Sequence, residues 1–261
     1  MKQADLDLFR QWFRRYTGTF IFEDPEEQKN IDLKIDHTFR VCEIIVRIAE
    51  GQSSDINRIA LAEAAALFHD VGRFPQYRQY GTFRDSTSVN HGRLGVDVLT
   101  QERLLEGLPE NERGAILNAV RLHNAFAVPD LPDQDHLLLL KMLRDADKLD
   151  IWRVFLGYYE GDPKDIASAV NLGLPDLPAC SPAVIADILG HRIPSAVNLR
   201  TLNDFKLMLM SWVFDLNFGD SFVLLQERDY INRLAALLPV TEEIRKVRAV
   251  VTGRLGRNQA G

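Results

Sequence analysis

The chain has 261 residues, 46% of them hydrophobic, and a formal net charge of −6. That length fits one large domain or a domain with a sizeable extension, and that apolar content excludes a disordered chain. The negative balance argues against a protein that grips nucleic acid or anionic membrane by charge alone. Two cysteines, Cys42 and Cys180, exclude both a disulfide scaffold and a thiolate zinc site.

The N-terminus, MKQADLDLFRQWFRRY, is charged and amphipathic and lacks the apolar core of a signal peptide. Leu6, Phe9, Phe13 and Tyr16 share one helix face. A second helix is predicted over 26–50, with Val41, Ile44, Ile45 and Ile48 on its apolar side, and a third, rich in alanine, over 55–70. Gly72 is expected to end that helix through a positive φ. Residues 74–88 read as a loop rich in aromatics and turn formers. Helices resume near 89–105, 111–126 and 134–159, and the segment 160–197 is broken by Gly and Pro. Three further helical patterns follow near 198–216, 219–237 and 240–255. No run alternates long enough for a strand, so the fold class is all-α. The Pro-rich break at 174–182 suggests an N-terminal part, 1–175, and a C-terminal helical extension, 176–261, packed on the same core. The longest apolar run, 207–218, is too short to span a bilayer and carries Asp215. The chain therefore reads as cytoplasmic, without a membrane partner.

Six histidines are present, and four fall where they can share one interior. His37 sits four before Val41 and seven before Ile44. His69 follows Ala62, Ala65 and Ala66, and His123 follows Ile116, Ala119 and Val120, at the same spacings. His91 opens a helix after the polar loop. Asp147 shares a face with Leu140, Leu143 and Ile151, whereas Lys141, Arg144 and Lys148 mark a polar stripe. Asp145 is equally compatible with periodicity, alongside Leu138, Met142 and Leu149. A carboxylate on an apolar face is costly unless it is paired or holds a metal. Imidazole and carboxylate without thiolate suit iron, manganese, nickel or zinc. Five or six such ligands exceed what one tetrahedral zinc takes, which points to two divalent ions, with Asp70 able to bridge them. His136 and His191 receive no role.

These pieces resemble the HD-domain superfamily of metal-dependent phosphohydrolases. DHTFRV supplies His37; FHDVGR supplies His69 and Asp70; NHGRLGVDVL and RLHNAF supply His91 and His123; DADKLD supplies Asp147, which the family pattern prefers to Asp145. The resemblance covers about residues 30–155. It implies an HD-type helical bundle with the ligands facing inward. Single-metal members often carry an acid three after the HD aspartate; here that position is Arg73, so the two-metal type is the better match. The Gly-Tyr-Pro motif of cyclic-dinucleotide phosphodiesterases is absent from HNAFAVPD.

The implied activity is hydrolysis of a small phosphomonoester or phosphodiester, a nucleotide among them, by a hydroxide between two ions. Asp70 and Arg73 are the candidate catalytic residues. Arg73 is the leading phosphate contact, with Arg78, Arg84 and Lys148 behind it. Tyr77, Tyr80 or Phe83 in the 74–88 loop could stack on a base. The rival readings are a two-iron oxygenase on the same scaffold and a non-catalytic regulatory module. A nucleic-acid polymer is not expected as partner. The apolar segment around Trp212 and Phe214 fits either the core or a homodimer surface, with core the simpler reading.

Overall fold

The computed structural model describes residues 1–162, 167–170 and 173–257. Among the described residues it is built from helices and contains no strand. No helix there is long and apolar enough to cross a membrane.

The first compact unit comprises Met1–Asp150 with Ala167–Ala169. Helix α1 (Gln3–Thr17) buries Leu6, Phe9, Trp12 and Phe13. Asp24 caps α2 (Pro25–Gln52) by accepting a hydrogen bond from Glu26 N, and Pro25 occupies a position where its missing N–H costs nothing. Asp55 caps α3 (Ile56–Phe68) in the same way. Five alanines of α3, at 60, 62, 64, 65 and 66, are buried. Their small side chains let α1, α2 and α6 pack closely around this helix.

Helix α4 (Arg73–Tyr80) lies inside the segment expected to be a loop. Pro75 falls in its first turn, where proline is tolerated, and Gly81 closes it at φ 62°. Helices α5 (His91–Gln101) and α6 (Glu110–Leu122) follow, and α7 (Gln134–Glu160) is 27 residues long. The division between the units falls within α7, after Asp150.

Gly72 departs from expectation. Its φ is −70°, so no left-handed turn is needed there. What requires glycine is proximity. A Cβ at Gly72 would lie 2.2 Å from His91 O and 2.6 Å from Gly95 N. One at Gly92 would lie 2.8 Å from Val120 O. These glycines let the start of α5 approach the end of α3 and the end of α6 at backbone contact.

The second unit takes the remaining described residues from Ile151 onward. It holds the end of α7 and helices α8 (Pro182–Leu189), α9 (Leu202–Ser211), α10 (Gly219–Glu227), α11 (Tyr230–Ala236) and α12 (Glu242–Arg257). A capping box between Thr201 and Asp204 starts α9. Trp152 is fully buried and donates its indole N–H to Leu209 O at 3.0 Å. Trp212 and Phe214 are half-buried, against Trp152 and His191 respectively. Within the broken segment 160–197, residues 163–166 and 171–172 lie outside the described residues.

Candidate metal centre

Five helices of the first unit bring His37 (α2), His69 and Asp70 (end of α3), His91 (start of α5), His123 (end of α6) and Asp147 (α7) together. The two histidines at helix ends are held by one device. The last carbonyls of a helix lack intrahelical donors. His69 Nδ1 meets Ala66 O at 2.7 Å, and His123 Nδ1 meets Val120 O at 2.8 Å. The other two are held by carboxylates: His37 Nδ1 meets Asp150 Oδ2 at 2.7 Å, and His91 Nδ1 meets Asp85 Oδ2 at 2.8 Å.

The network sets the tautomer. Each Nδ1–H is donated to an oxygen, so each Nε2 faces the interior and offers its lone pair there wherever the ring is neutral. His37 Nε2 and His69 Nε2 lie 3.3 Å apart, and His91 Nε2 and His123 Nε2 lie 2.9 Å apart. Lone pairs at these separations repel unless a proton or a cation lies among them.

Asp70 joins the two pairs. Its Oδ2 lies 3.8 Å from His37 Nε2 and 3.7 Å from His69 Nε2. Its Oδ1 lies 3.4 Å from His91 Nε2 and 3.8 Å from His123 Nε2. Asp147 Oδ1 adds to the first pair, 3.1 Å from His37 Nε2 and 3.8 Å from His69 Nε2. Two overlapping clusters of buried donors result, His37–His69–Asp70 and Asp70–His91–His123, each compact enough to hold a metal ion. Imidazole and carboxylate donors of this kind fit divalent transition metals.

The electrostatics favour cations. Burial alone would raise the Asp70 carboxyl, but Lys34, His69 and Arg73 outweigh it and hold it well below the usual carboxylate range. Asp147 is held down likewise, against burial, by its contacts with His37 and His69. Burial lowers His69 to about 4 despite its acidic neighbours. Burial and the Arg73 charge lower His91 to about 3. Both imidazoles are therefore neutral near pH 7. His37 is the exception. Burial and Lys34 push it down, yet its hydrogen bonds to Asp147 and Asp150 prevail and raise it to about 9.

The remaining residues singled out in the sequence divide. Arg73 is at the centre: its Nη1 donates to Gln76 Oε1 at 3.0 Å, Asp85 Oδ1 at 3.0 Å and Phe83 O, and its Nε lies 3.4 Å from Asp70 Oδ1. Among the described residues its Nη2 makes no hydrogen bond. Arg78 donates to Thr19 O and stacks over the Phe20 ring at 4.0 Å. Arg84 is exposed, and Lys148 is buried with Nζ 3.4 Å from Arg144 O. The expected polar stripe on α7 is thus largely inside: Arg144 is buried and donates to His123 O at 2.8 Å. Tyr77 is packed into the unit, with its hydroxyl accepting from Asn30 Nδ2 at 2.8 Å and its ring 4.8 Å from Phe83. Tyr80 is exposed. His136 ties α6 to α7 through Asn118, at 3.0 Å, and Asn111.

Sequence reasoning missed Lys34, Asp85 and Asp150. Lys34 Nζ donates to Asp70 Oδ2 at 2.8 Å. It stands three residues before His37 on the same helix, a spacing that could have been read. The side chains of Lys34, Arg73, Asp147 and Asp85 are 17%, 16%, 16% and 29% exposed, whereas Asp70 is 3% exposed. The centre therefore opens on the side these four residues border.

The family model of the HD domain matches residues 35–152, a span that contains all six candidate ligands. That span, just under half of the chain, is thus similar to the HD domain, a family whose members are mostly metal-dependent hydrolases. No curated protein and no solved structure matches the chain.

Proposed function

We propose that this protein is a phosphohydrolase that cleaves a small phosphomonoester or phosphodiester with the help of two divalent cations. The observation that carries this reading is Asp70, whose two oxygens face two separate pairs of histidine Nε2 atoms. His37, His69, Asp70 and Asp147 would hold one cation; Asp70, His91 and His123 would hold the other. When bound, such ions activate water at neutral pH and offset charge on phosphoryl oxygens.

The chain's own residues do the rest. Asp150 and Asp85 fix the rings of His37 and His91, which keeps each lone pair aimed inward. The substrate approaches from the open side. Lys34 and Arg73 flank Asp70 there, one beside each of its oxygens. Arg73 is held through Nη1, and its Nη2 would donate to a phosphoryl oxygen. Lys34 supplies a second positive group on a flexible stem. Two cationic side chains on opposite sides of the bridging carboxylate suit a phosphoryl group, whose charge is spread over several oxygens.

The test loads the protein with manganese and offers it p-nitrophenyl phosphate and bis(p-nitrophenyl) phosphate. Release of p-nitrophenol, lost together with metal in Asp70→Ala, is the expected result. Two observations would overturn the reading. One is an Asp70→Ala variant that keeps both its metal and its turnover. The other is an iron-loaded protein that consumes dioxygen with a polyol or phosphonate and hydrolyses neither ester.

A further inference from the structure

The two halves of the centre are not equivalent, and the difference rests on residues outside the ligand set. The first half offers four donors: His37, His69, Asp147 and a shared oxygen of Asp70. The second offers three: His91, His123 and the other oxygen of Asp70. The carboxylates behind the histidines differ as well. Asp150, which holds His37, is fully buried in the middle of α7. Asp85, which holds His91, lies in a single 3-10 turn, Asp85–Thr87, between α4 and α5.

Asp85 is the hub of that turn. Its Oδ1 and Oδ2 lie 2.9 and 2.8 Å from His91 Nδ1. Oδ1 also accepts from Arg73 Nη1 at 3.0 Å and Gln76 Nε2 at 2.9 Å, and Oδ2 accepts from Asn124 Nδ2 at 2.9 Å. Gln76 is fully buried and pins the same turn through Ser88 Oγ and Val89 O, both at 2.9 Å. Four donors on three elements thus converge on one carboxylate. Only a carboxylate can accept from all of them; an amide would turn its own N–H groups toward donors.

We propose that Asp85 is the positioning residue of the second cation site, and that its place in a turn makes the second cation the weakly held, exchangeable one. The proposal rests on the two-cation reading above. In it, the His37 side fills first and is retained. The His91 side fills at higher metal concentration, and its affinity is set through Asp85.

The experiment titrates metal-free protein with manganese and counts bound ions per chain after desalting. It compares the wild type with Asp85→Asn, Asp85→Ser and the charge-conserving Asp85→Glu. The wild type is expected to bind two ions in two steps. In Asp85→Asn and Asp85→Ser the first step should be unchanged. The second should weaken about 10-fold to 100-fold, the usual cost of losing a partner behind a ligand. Asp85→Glu should recover part of it. A folded Asp85→Asn or Asp85→Ser variant that binds both ions with wild-type affinity would overturn the proposal. So would loss of both ions together, or failure of both variants to fold by far-UV circular dichroism, which would assign Asp85 to the fold instead. A wild type that never exceeds one ion would sink the two-cation reading itself, an outcome visible before any variant is made.

Discussion

At the scale of single residues, the centre depends on which way each imidazole faces. A histidine on an apolar face is ready to serve as a ligand only when something fixes its other nitrogen. Here two carbonyls and two carboxylates do so. His37, His69, His91 and His123 were legible because their helical phase matched the buried faces. Periodicity left Asp145 and Asp147 level. The structure separates them: Asp145 is fully buried, while Asp147 turns Oδ1 toward His37 at 3.1 Å. Lys34 shared the phase of His37 and still escaped notice, because a lysine on a helix usually means a solvated charge. Asp85 could not be reached by any period, since loop residues have none. Lys34 also gives the sharpest single-residue prediction. Lys34→Met should keep the metal content of the wild type. It should lower kcat/KM for a phosphate ester by about 10-fold to 100-fold, the value of one charge-assisted hydrogen bond. Unchanged kinetics in that variant would remove Lys34 from substrate binding.

Among the elements, what matters is how closely α5 can approach its neighbours. The pattern HGRLG, with Gly92 and Gly95 three apart, places two side-chain-free positions just behind His91. Gly72 supplies a third from the end of α3. Its replacement by alanine would drive a Cβ into the backbone of α5, which cannot rotate away as a side chain can. Gly72→Ala is expected to cost about 3 kcal/mol, near the upper end for overpacking. At roughly 2–4 °C per kcal/mol for a unit of this size, the melting temperature should fall by about 6–12 °C. A fall of less than about 2 °C in a thermal melt would mean the contact relaxes cheaply. The misread 74–88 segment belongs to this scale too. Pro75, Gly81 and a run of turn formers hid a helix of only eight residues, and short helices offer too few turns for periodicity to register. The long helices α2 and α7 were legible because they repeat the apolar pattern many times over. The short pieces of the C-terminal region merged into longer predicted helices for the opposite reason, since apolar residues continue across the turns between them.

Across the whole molecule, the centre gathers side chains from His37 to Asp147, and so from most of the length of the first unit. The sequence order of the candidate ligands was readable. Their meeting point was not, because it depends on helix packing over long separations. A cation bound there would tie α2, α3 and α7 together at the middle of the unit. Ligands that bind only the folded state stabilise it in proportion to the logarithm of their excess. At a hundredfold excess over the dissociation constant the gain is about 2.7 kcal/mol. Exhaustive chelation should therefore lower the melting temperature by about 5–11 °C, restored by added manganese. An unchanged melt in a protein shown to have lost its metal would mean that the centre contributes nothing to holding the unit together.

The closed side of the centre has a consequence for how the protein acquires its metal. Asp70 and His69 are almost wholly buried, and among the described residues the open side is bordered by two positive side chains, Lys34 and Arg73, and two acidic ones, Asp85 and Asp147. A cation reaching the His37 side of a finished molecule passes both kinds of charge and must shed its water on the way. The inner ion would exchange slowly, and its identity would reflect whichever metal was abundant when the site was last filled. Two preparations of the same sequence, grown on different metals, would then differ in the ion at the centre of the unit.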